Sequence, residues 1–125
     1  MKVLLDTHIC LWSLLDDPNL SPQARRLVEQ ASTVFVSTAS LWEVAIKHSL
    51  GKLSVSAEAT RDYLLRSGAE FLPILPEHCL ALQGLPALHS DPFDRMLIAQ
   101  AIVEPLHLIT HDEAFRGYPG SIHIV

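Results

Sequence analysis

The sequence predicts an α/β fold, a three-layer sandwich in which a mostly parallel sheet of about five strands lies between layers of helices. Three observations predict it: short apolar segments of strand length, longer segments of helical periodicity between them, and turn residues at the junctions. Strands that alternate with helices pair in parallel, and the helices then cover both faces of the sheet. The length of 125 residues suits one domain, and we expect residues 1–125 to form it.

The first half of the chain is expected to contain two strands, KVLL and TVFVS, both short and rich in apolar residues. The helices predicted around them are THICLWSLL, SPQARRLVEQA, TASLWEVAIKHSLG and SAEATRDYLLRSG. Ser21 followed by Pro22 is a strong start signal, because serine caps helices and the fixed φ of proline suits the first helical position. The last two of these helices are expected to end at Gly51 and Gly68.

The second half is expected to contain three strands, EFLPIL, LHLIT and SIHIV. Pro73 lies within the first of them and argues for an edge strand or a bend, because proline donates no hydrogen bond to a sheet. The remaining helical segments are PEHCLALQGL, DPFDRMLIAQAIVE and a single turn, DEAF.

Composition restricts the class of protein. Hydrophobic residues make up 49% and charged residues 18%, which provides for a core and argues against disorder. The formal net charge of −5 gives no long-range attraction to nucleic acid. A role on nucleic acid would therefore need local basic residues or bound cations.

The cysteines and the N-terminus favour a cytoplasmic protein. Cys10 and Cys79 lie in apolar surroundings without metal-type spacing, and we interpret them as reduced core residues. The opening MKVLLDTHICLWSLL resembles a signal peptide only superficially, because Asp6 and His8 interrupt the apolar run and no small-residue cleavage site follows. No run approaches the length of a transmembrane helix, so no membrane association is expected.

Two aspartates follow predicted strands. Asp6 comes directly after KVLL, and Asp112 follows LHLIT after one intervening residue. In open parallel sheets, ligands bind beyond the carboxyl ends of the strands, so both side chains are expected at the binding edge. Helix N-capping is the alternative for each of them taken alone.

Glu43 lies in SLWEVAIK, little more than one turn beyond the end of the strand TVFVS. It is close enough to point back toward the same edge of the sheet. The alternative is an exposed ion pair with Lys47, since glutamate four residues before lysine is the favourable order on a helix.

Asp91 and Asp94 open the segment DPFDRMLIAQA. Asp91 before Pro92 is typical of a helix cap followed by proline at the first helical position. Capping explains Asp94 less well, because an aspartate at the third helical position is short for the reach back to the cap. We therefore expect Asp91 chiefly to cap the helix and Asp94 to belong to the acidic site.

Several converging carboxylates would repel one another and partly protonate unless a cation neutralised them. Oxygen ligands indicate Mg²⁺ or Mn²⁺ rather than zinc, and such sites typically hydrolyse phosphodiesters. The three histidines near these acids match no zinc spacing and are interpreted as surface or helix-end residues, with contact to a substrate left open: His8, His89 and His111.

Four blocks in order, LLDTH, SLWEVAIK, HSDPFDRMLIAQA and LITHDEAF, make the chain resemble the PIN-domain family. Within that family, it is similar to the VapC-type ribonuclease toxins of prokaryotic type II toxin–antitoxin pairs, over essentially its whole length. The resemblance implies a PIN-like sandwich and metal-dependent endoribonuclease activity on RNA. It also implies a homodimer and a small antitoxin partner.

The resemblance also implies roles for single residues. The family acids match Asp6, Glu43, Asp94 and the less regular Asp112, which are the expected catalytic and metal-binding residues. Small hydroxyl residues beside such acids match Thr7 and Thr110.

Independently of the resemblance, four basic side chains are candidate phosphate contacts, with ordinary solvated charge at least as good an explanation for the last two: Lys47, Arg95, Arg25 and Arg26.

Three other classes of protein are alternatives to a nuclease. A phosphoacceptor signalling module would have paired acids after the first strand, whereas a single Asp6 is followed here by Thr7. A haloacid-dehalogenase-type phosphatase would need Asp-x-Asp at that place, which DTH does not provide. A non-catalytic interaction module, with the acids acting only as caps, is the remaining alternative.

Overall fold

A computed structural model describes all 125 residues. Its centre is a parallel sheet of five strands in the order β3-β2-β1-β4-β5. The strands are β1 (Lys2–Leu5), β2 (Thr33–Ser37), β3 (Glu70–Leu72), β4 (His107–Thr110) and β5 (Ile122–Ile124). The predicted α/β class, the strand number and the parallel pairing are confirmed.

Six α-helices and one 3₁₀ turn connect the strands. The helices are α1 (Thr7–Leu15), α2 (Pro22–Gln30), α3 (Thr38–Ser49), α4 (Ala57–Arg66), α5 (Pro76–Leu82) and α6 (Pro92–Val103), and the 3₁₀ turn is Glu113–Phe115. No helix is long and apolar enough to cross a membrane.

Each face of the sheet carries its own apolar cluster. One cluster packs Val3 and Leu5 of β1 against helices α1, α2 and α4, with Ile9 and Leu64 among its buried members. The other packs Leu4 of β1 against α6 and the chain after β4. Because alternate residues of β1 point to opposite faces, one buried strand supplies both clusters.

Local signals place the helix ends close to where the sequence predicts them. Ser21 caps α2, its side chain accepting from the backbone N–H of Ala24, and Pro22 is the first helical residue. Helix α3 ends two residues before Gly51, whose φ of 74° lies in the left-handed region that favours glycine. Its N–H donates to the carbonyl of His48 at 3.0 Å and closes the last turn.

Two expectations need correction. The third strand ends at Leu72 rather than continuing through Pro73, because a proline cannot extend the ladder. It lies at the edge of the sheet, as Pro73 indicated. Cys79 is exposed on α5, so the expectation that both cysteines belong to the core is wrong for this one. Cys10 is a buried free thiol, and burial raises its pKa to about 12.

Candidate active site

The strand order brings three chain segments to one edge of the sheet. Strand β1 lies between β2 and β4, so the residues that follow these three strands are neighbours in space. Asp6 follows β1, helix α3 with Glu43 starts directly after β2, and Asp112 follows β4. This is the carboxyl edge at which ligands bind in open parallel sheets.

Asp6 is buried and held from two sides. Its carboxylate accepts from the hydroxyl of Thr110 at 2.6 Å and from the backbone N–H of His8 at 3.3 Å, which caps α1. Burial raises the pKa of Asp6, the bond from Thr110 lowers it, and the nearby charge of Glu43 raises it further. Asp6 therefore both caps a helix and presents a carboxylate that is hard to ionise.

Glu43 contacts Lys47 but is buried, and its part in the acidic site stays a prediction. It pairs with Lys47 at 2.7 Å, but its side chain is only 5% exposed, so the pair is not the ordinary surface pair of the alternative. Its Oε1 is one of two buried side-chain oxygens without a hydrogen-bond partner, the other being Gln100 Oε1. A buried carboxylate oxygen without a donor is costly, which indicates that a ligand belongs there.

Lys47 lies in the field of several carboxylates. The hydrogen bond to Glu43 raises the pKa of its ammonium, and the charges of Asp91 and Asp94 raise it further. The ammonium group of Lys47 on α3 is therefore close enough to the acids at the N-terminal end of α6 to interact with them electrostatically. Lys47 is a fixed positive group at the rim of an otherwise acidic site.

Asp91 caps helix α6 as the sequence predicted, whereas metal binding by Asp94 stays a prediction. The side chain of Asp91 accepts from the backbone N–H groups of Phe93 and Asp94, at 2.8 and 3.0 Å, and so caps α6. Asp94 makes no such cap. Burial raises its pKa to about 6, and the charges of Asp6 and Asp91 raise it further, while a hydrogen bond from His89 lowers it.

The tightest group of potential metal ligands consists of His89, Asp94 and Asp112, whose ligand atoms all lie within 4.8 Å of one another. Only two of the four predicted acids belong to this group. Asp6 and Glu43 lie outside it. Besides burial, the charge of Glu43 contributes to the raised pKa of Asp6, and the charge of Asp6 contributes to the raised pKa of Asp94. The expected set of four is therefore divided into a tight part at α6 and a second part between α1 and α3.

The donor set fits a divalent cation. Burial raises the pKa of Asp94, and the charges of Asp6 and Asp91 raise it further, so a nearby cation would favour the ionised carboxylate. Carboxylate oxygens with one imidazole nitrogen suit an octahedral divalent ion better than the tetrahedral sulfur and nitrogen sets of structural zinc sites.

His89 contacts Asp94, although the sequence predicts a surface or helix-end histidine at this position. Its Nε2 lies 2.7 Å from Oδ2 of Asp94, and its backbone N–H donates to the hydroxyl of Tyr118 at 2.7 Å. The available signal was its position, five residues before Asp94 in the block HSDPFD. Spacing of this kind matches no known metal pattern, so only the fold shows the contact.

Arg95 has a structural role in this site. Its guanidinium donates to the carbonyl of Pro86 at 2.8 Å and to the hydroxyl of Tyr118 at 3.2 Å, and it thereby holds the segment before α6. A contact of Arg95 with a phosphate stays a prediction.

Of the remaining predicted site residues, some contact the acids or line a cleft with them, and others lie elsewhere. Thr110 bonds Asp6, whereas Thr7 is buried and donates to the hydroxyl of Ser40 at 2.8 Å. Arg25 pairs with Asp16 at 2.9 Å on the exposed surface, which agrees with the solvated-charge alternative. His8 and His111 line an open cleft with Asp6, Trp12, Asp112 and Glu113.

Comparison with known protein families decides the class of the chain. The family model of the PIN domain matches residues 3–120. The chain belongs to the PIN-domain family. Among curated proteins, this PIN domain is 28% identical to Ribonuclease VapC22 of Mycobacterium tuberculosis (strain ATCC 25618 / H37Rv), an alignment that covers 93% of this chain and 91% of the relative.

Solved structures with the same fold include two complexes. VapBC2 from Rickettsia felis, bound to a DNA fragment from its promoter, has a TM-score of 0.75 at 20% identity, over 98% of both chains. DNA-bound VapBC from Salmonella typhimurium has a TM-score of 0.70 at 20% identity, over 98% of this chain and 97% of the other. At this identity, the likeness shows the fold alone.

Proposed function

We propose that this PIN domain is a metal-dependent endoribonuclease and the toxin of a type II toxin–antitoxin pair. The observation that carries the proposal is the partly buried acidic site at the carboxyl edge of the sheet, where Glu43 Oε1 lacks a partner and burial raises the pKa of Asp94. The name of the curated relative, a ribonuclease of the VapC series, supports the same reaction. A purely structural role for the acids, as helix caps, leaves the buried oxygen of Glu43 unexplained.

We assign Mg²⁺ or Mn²⁺ to this site, held by Asp6, Glu43, Asp94 and Asp112. When bound, the cation supplies a positive charge against the developing charge of the phosphodiester and promotes the ionisation of water. Its exact ligands among these four acids are part of the proposal.

The protein's own side chains prepare the site. Thr110 fixes the orientation of the Asp6 carboxylate, and burial of Asp6 and Glu43 keeps bulk water from competing for their oxygens. Lys47, 43% exposed at its side chain, is positioned to contact a backbone phosphate while it neutralises part of Glu43. Because the whole chain is acidic, this local charge and the cation provide the attraction for RNA.

Cleavage of RNA in the presence of Mg²⁺, Mn²⁺ or EDTA tests the proposal. We expect activity with either ion and none with EDTA, and we expect Asp6→Asn and Glu43→Gln to abolish it while the fold is kept. Glu58→Gln is the matched control, because it removes one exposed acidic charge on α4, on a helix that contributes none of the four acids. An active Asp6→Asn protein, purified free of wild type, would refute the mechanism.

Metal binding is testable without RNA. A ligand at 100 times its dissociation constant stabilises the folded state by about 2.7 kcal/mol, so Mn²⁺ should raise the melting temperature by several degrees. Superimposable melting curves with Mn²⁺ and with EDTA would argue against the site.

The VapBC names of the structural neighbours support a protein partner. We propose a homodimer that binds an antitoxin through a basic segment, whose arginine or lysine pairs with the acidic site. Light scattering that shows only monomer at high concentration would contradict the proposed homodimer. An antitoxin that inhibits equally well without its basic residues would remove the pairing. A cytoplasmic location and a single functional domain over residues 1–125 belong to the same proposal.

A further inference from the structure

His89 stands where a ligand of the proposed cation would stand. Its Nε2 lies 2.7 Å from Asp94 Oδ2. One potential ligand atom from each of His89, Asp94 and Asp112 lies within 4.8 Å of the other two. Both side chains of the pair are partly open to solvent, 19% for His89 and 14% for Asp94, so an ion can reach them.

The imidazole is held in place by its surroundings. The backbone N–H of His89 donates to the hydroxyl of Tyr118 at 2.7 Å, and Arg95 donates to the same hydroxyl at 3.2 Å. Arg95 also donates to the carbonyl of Pro86 on the same segment at 2.8 Å. The ring lies 6.1 Å from that of Phe115, centroid to centroid, which limits its rotation on that side. A ligand on such a fixed segment requires little ordering when the ion binds.

The distances suit coordination. Neighbouring ligand atoms of an octahedral ion, at bond lengths of about 2.1 Å, are separated by about 3.0 Å. The present contact of 2.7 Å between Nε2 and Oδ2 needs to widen by only a few tenths of an ångström. Coordination requires a neutral imidazole with its proton on Nδ1, so His89 exchanges its bond to Asp94 for a bond to the ion.

The other two histidines near the acids are less well placed. His111 uses its Nδ1 in a hydrogen bond with the carbonyl of Val125 at 2.6 Å, and its ring packs edge-on against Trp12. The exposed ring of His8 also packs near Trp12. Neither belongs to the group whose ligand atoms lie within 4.8 Å.

We propose that His89 supplies a nitrogen ligand to the divalent cation together with Asp94 and Asp112, and that this ligand makes the site favour first-row transition ions such as Mn²⁺ over Mg²⁺. The inference rests on the proposed function, since it takes a cation at the acidic site as given. Mg²⁺ prefers oxygen ligands, whereas imidazole nitrogen suits transition ions. A site made of carboxylates alone would discriminate less between Mn²⁺ and Mg²⁺.

Pulsed EPR of the Mn²⁺-loaded protein tests the nitrogen bond directly, because a coordinated imidazole modulates the electron spin echo at nitrogen frequencies. We expect this modulation in the wild type and in the matched controls His8→Gln and His111→Gln, and its loss in His89→Gln. Titration calorimetry should show Mn²⁺ affinity falling about tenfold or more in His89→Gln, and Mg²⁺ affinity changing about twofold or less. His89→Asn is the second variant, and metal-free melting checks that both are folded.

Different results would contradict the role of His89 and the proposed function. A wild type that binds both ions and cleaves RNA, but shows no nitrogen modulation, overturns the role of His89 alone. The same holds if His89→Gln keeps the modulation or loses both ions equally. A wild type that binds neither ion overturns the proposed function and this inference with it.

Discussion

A histidine–carboxylate contact lies near each end of helix α6, and the two contacts differ in burial and in the charges around them. Near its C-terminal end, His78 Nε2 lies 2.7 Å from a carboxylate oxygen of Glu104, and near its N-terminal end, His89 Nε2 lies 2.7 Å from one of Asp94. At the C-terminal end, the imidazole is fully buried, and the carboxylate is 35% exposed. At the N-terminal end, both groups are partly exposed, and further carboxylates surround them.

The second nitrogen of each ring separates the two contacts further. His78 Nδ1 accepts from the backbone N–H of Leu75 at 3.0 Å, so this histidine joins α5 to α6 and has no nitrogen left for a ligand. His89 instead faces Asp94 in a group that includes Asp112. The two contacts therefore have the same length but differ in burial and in the charges around them, and on that difference we propose a ligand-binding role for His89 alone.

Removing one charge at each end of α6 should give the largest difference. Asp94→Asn and Glu104→Gln both keep the shape and the hydrogen-bond acceptor of the pair. We expect Asp94→Asn to lower RNA cleavage by at least about a hundredfold, because metal-assisted stabilisation is worth several kcal/mol, and Glu104→Gln to change it about twofold or less. Initial rates on a labelled RNA at saturating Mn²⁺ measure both. Equal losses would show that the two contacts serve one purpose.

Stability should show the reverse order. His78→Ala leaves a cavity in the core and an unpaired N–H at Leu75, and we expect it to lower the free energy of unfolding by about 2 to 4 kcal/mol. His89→Ala removes a partly exposed ring and should cost about 1 kcal/mol or less. Urea unfolding of the metal-free proteins gives both values. If His89→Ala proved the more destabilising, the main role of His89 would be to stabilise the fold rather than to bind a ligand.

The cap of α6 provides a finer test at the N-terminal end. Asp91→Ala should lower stability by about 1 kcal/mol, since two backbone N–H groups lose their acceptor, whereas Asp91→Asn keeps the cap and much of the activity. Thermal melts and cleavage rates of both variants measure this. A dead Asp91→Asn protein beside an active Asp94→Asn protein would show that the two aspartates are assigned the wrong way round.

The smallest effect expected is a pH dependence of the metal-free protein. Burial raises the pKa of Asp94 to about 6, so the folded state binds this proton more tightly than the unfolded state. The resulting stability is present at low pH and is lost as the pH rises through about 6. Between pH 5 and pH 7, the wild type should lose more stability than Asp94→Asn, by about 1 kcal/mol or less because solvent screens a partly exposed group. Parallel stability curves in EDTA would contradict the crowding at Asp94.

Much of the fold could be predicted because its signals are local. Ser21 before Pro22, Asp91 before Pro92 and Gly51 after α3 each set a helix end through contacts within one turn. The apolar runs of the strands and their alternation with helices predict the parallel sheet, and with it the edge at which Asp6 and Asp112 lie.

Other features depended on packing between distant segments. The burial of Glu43 depends on how α3 is rotated against α1 and α6. The i,i+4 spacing of Glu43 and Lys47 does not predict this burial, because such a pair has the same spacing whether the glutamate is buried or exposed. The exposure of Cys79 likewise depends on which face of the short helix α5 meets α6.

The sequence by itself determined the order of strands and helices, the caps, and the acidic residues available at one edge of the sheet, because periodicity and capping act over a few neighbouring residues. Only the tertiary structure decided how those acids are grouped. The hydroxyl of Thr110 reaches the carboxylate of Asp6 across 104 positions of sequence, and His89 meets Asp112 only because β4 lies beside β1 and α6 covers them. Contacts of this kind arise when burial of the two apolar clusters fixes the strand order, and no spacing along the chain encodes them.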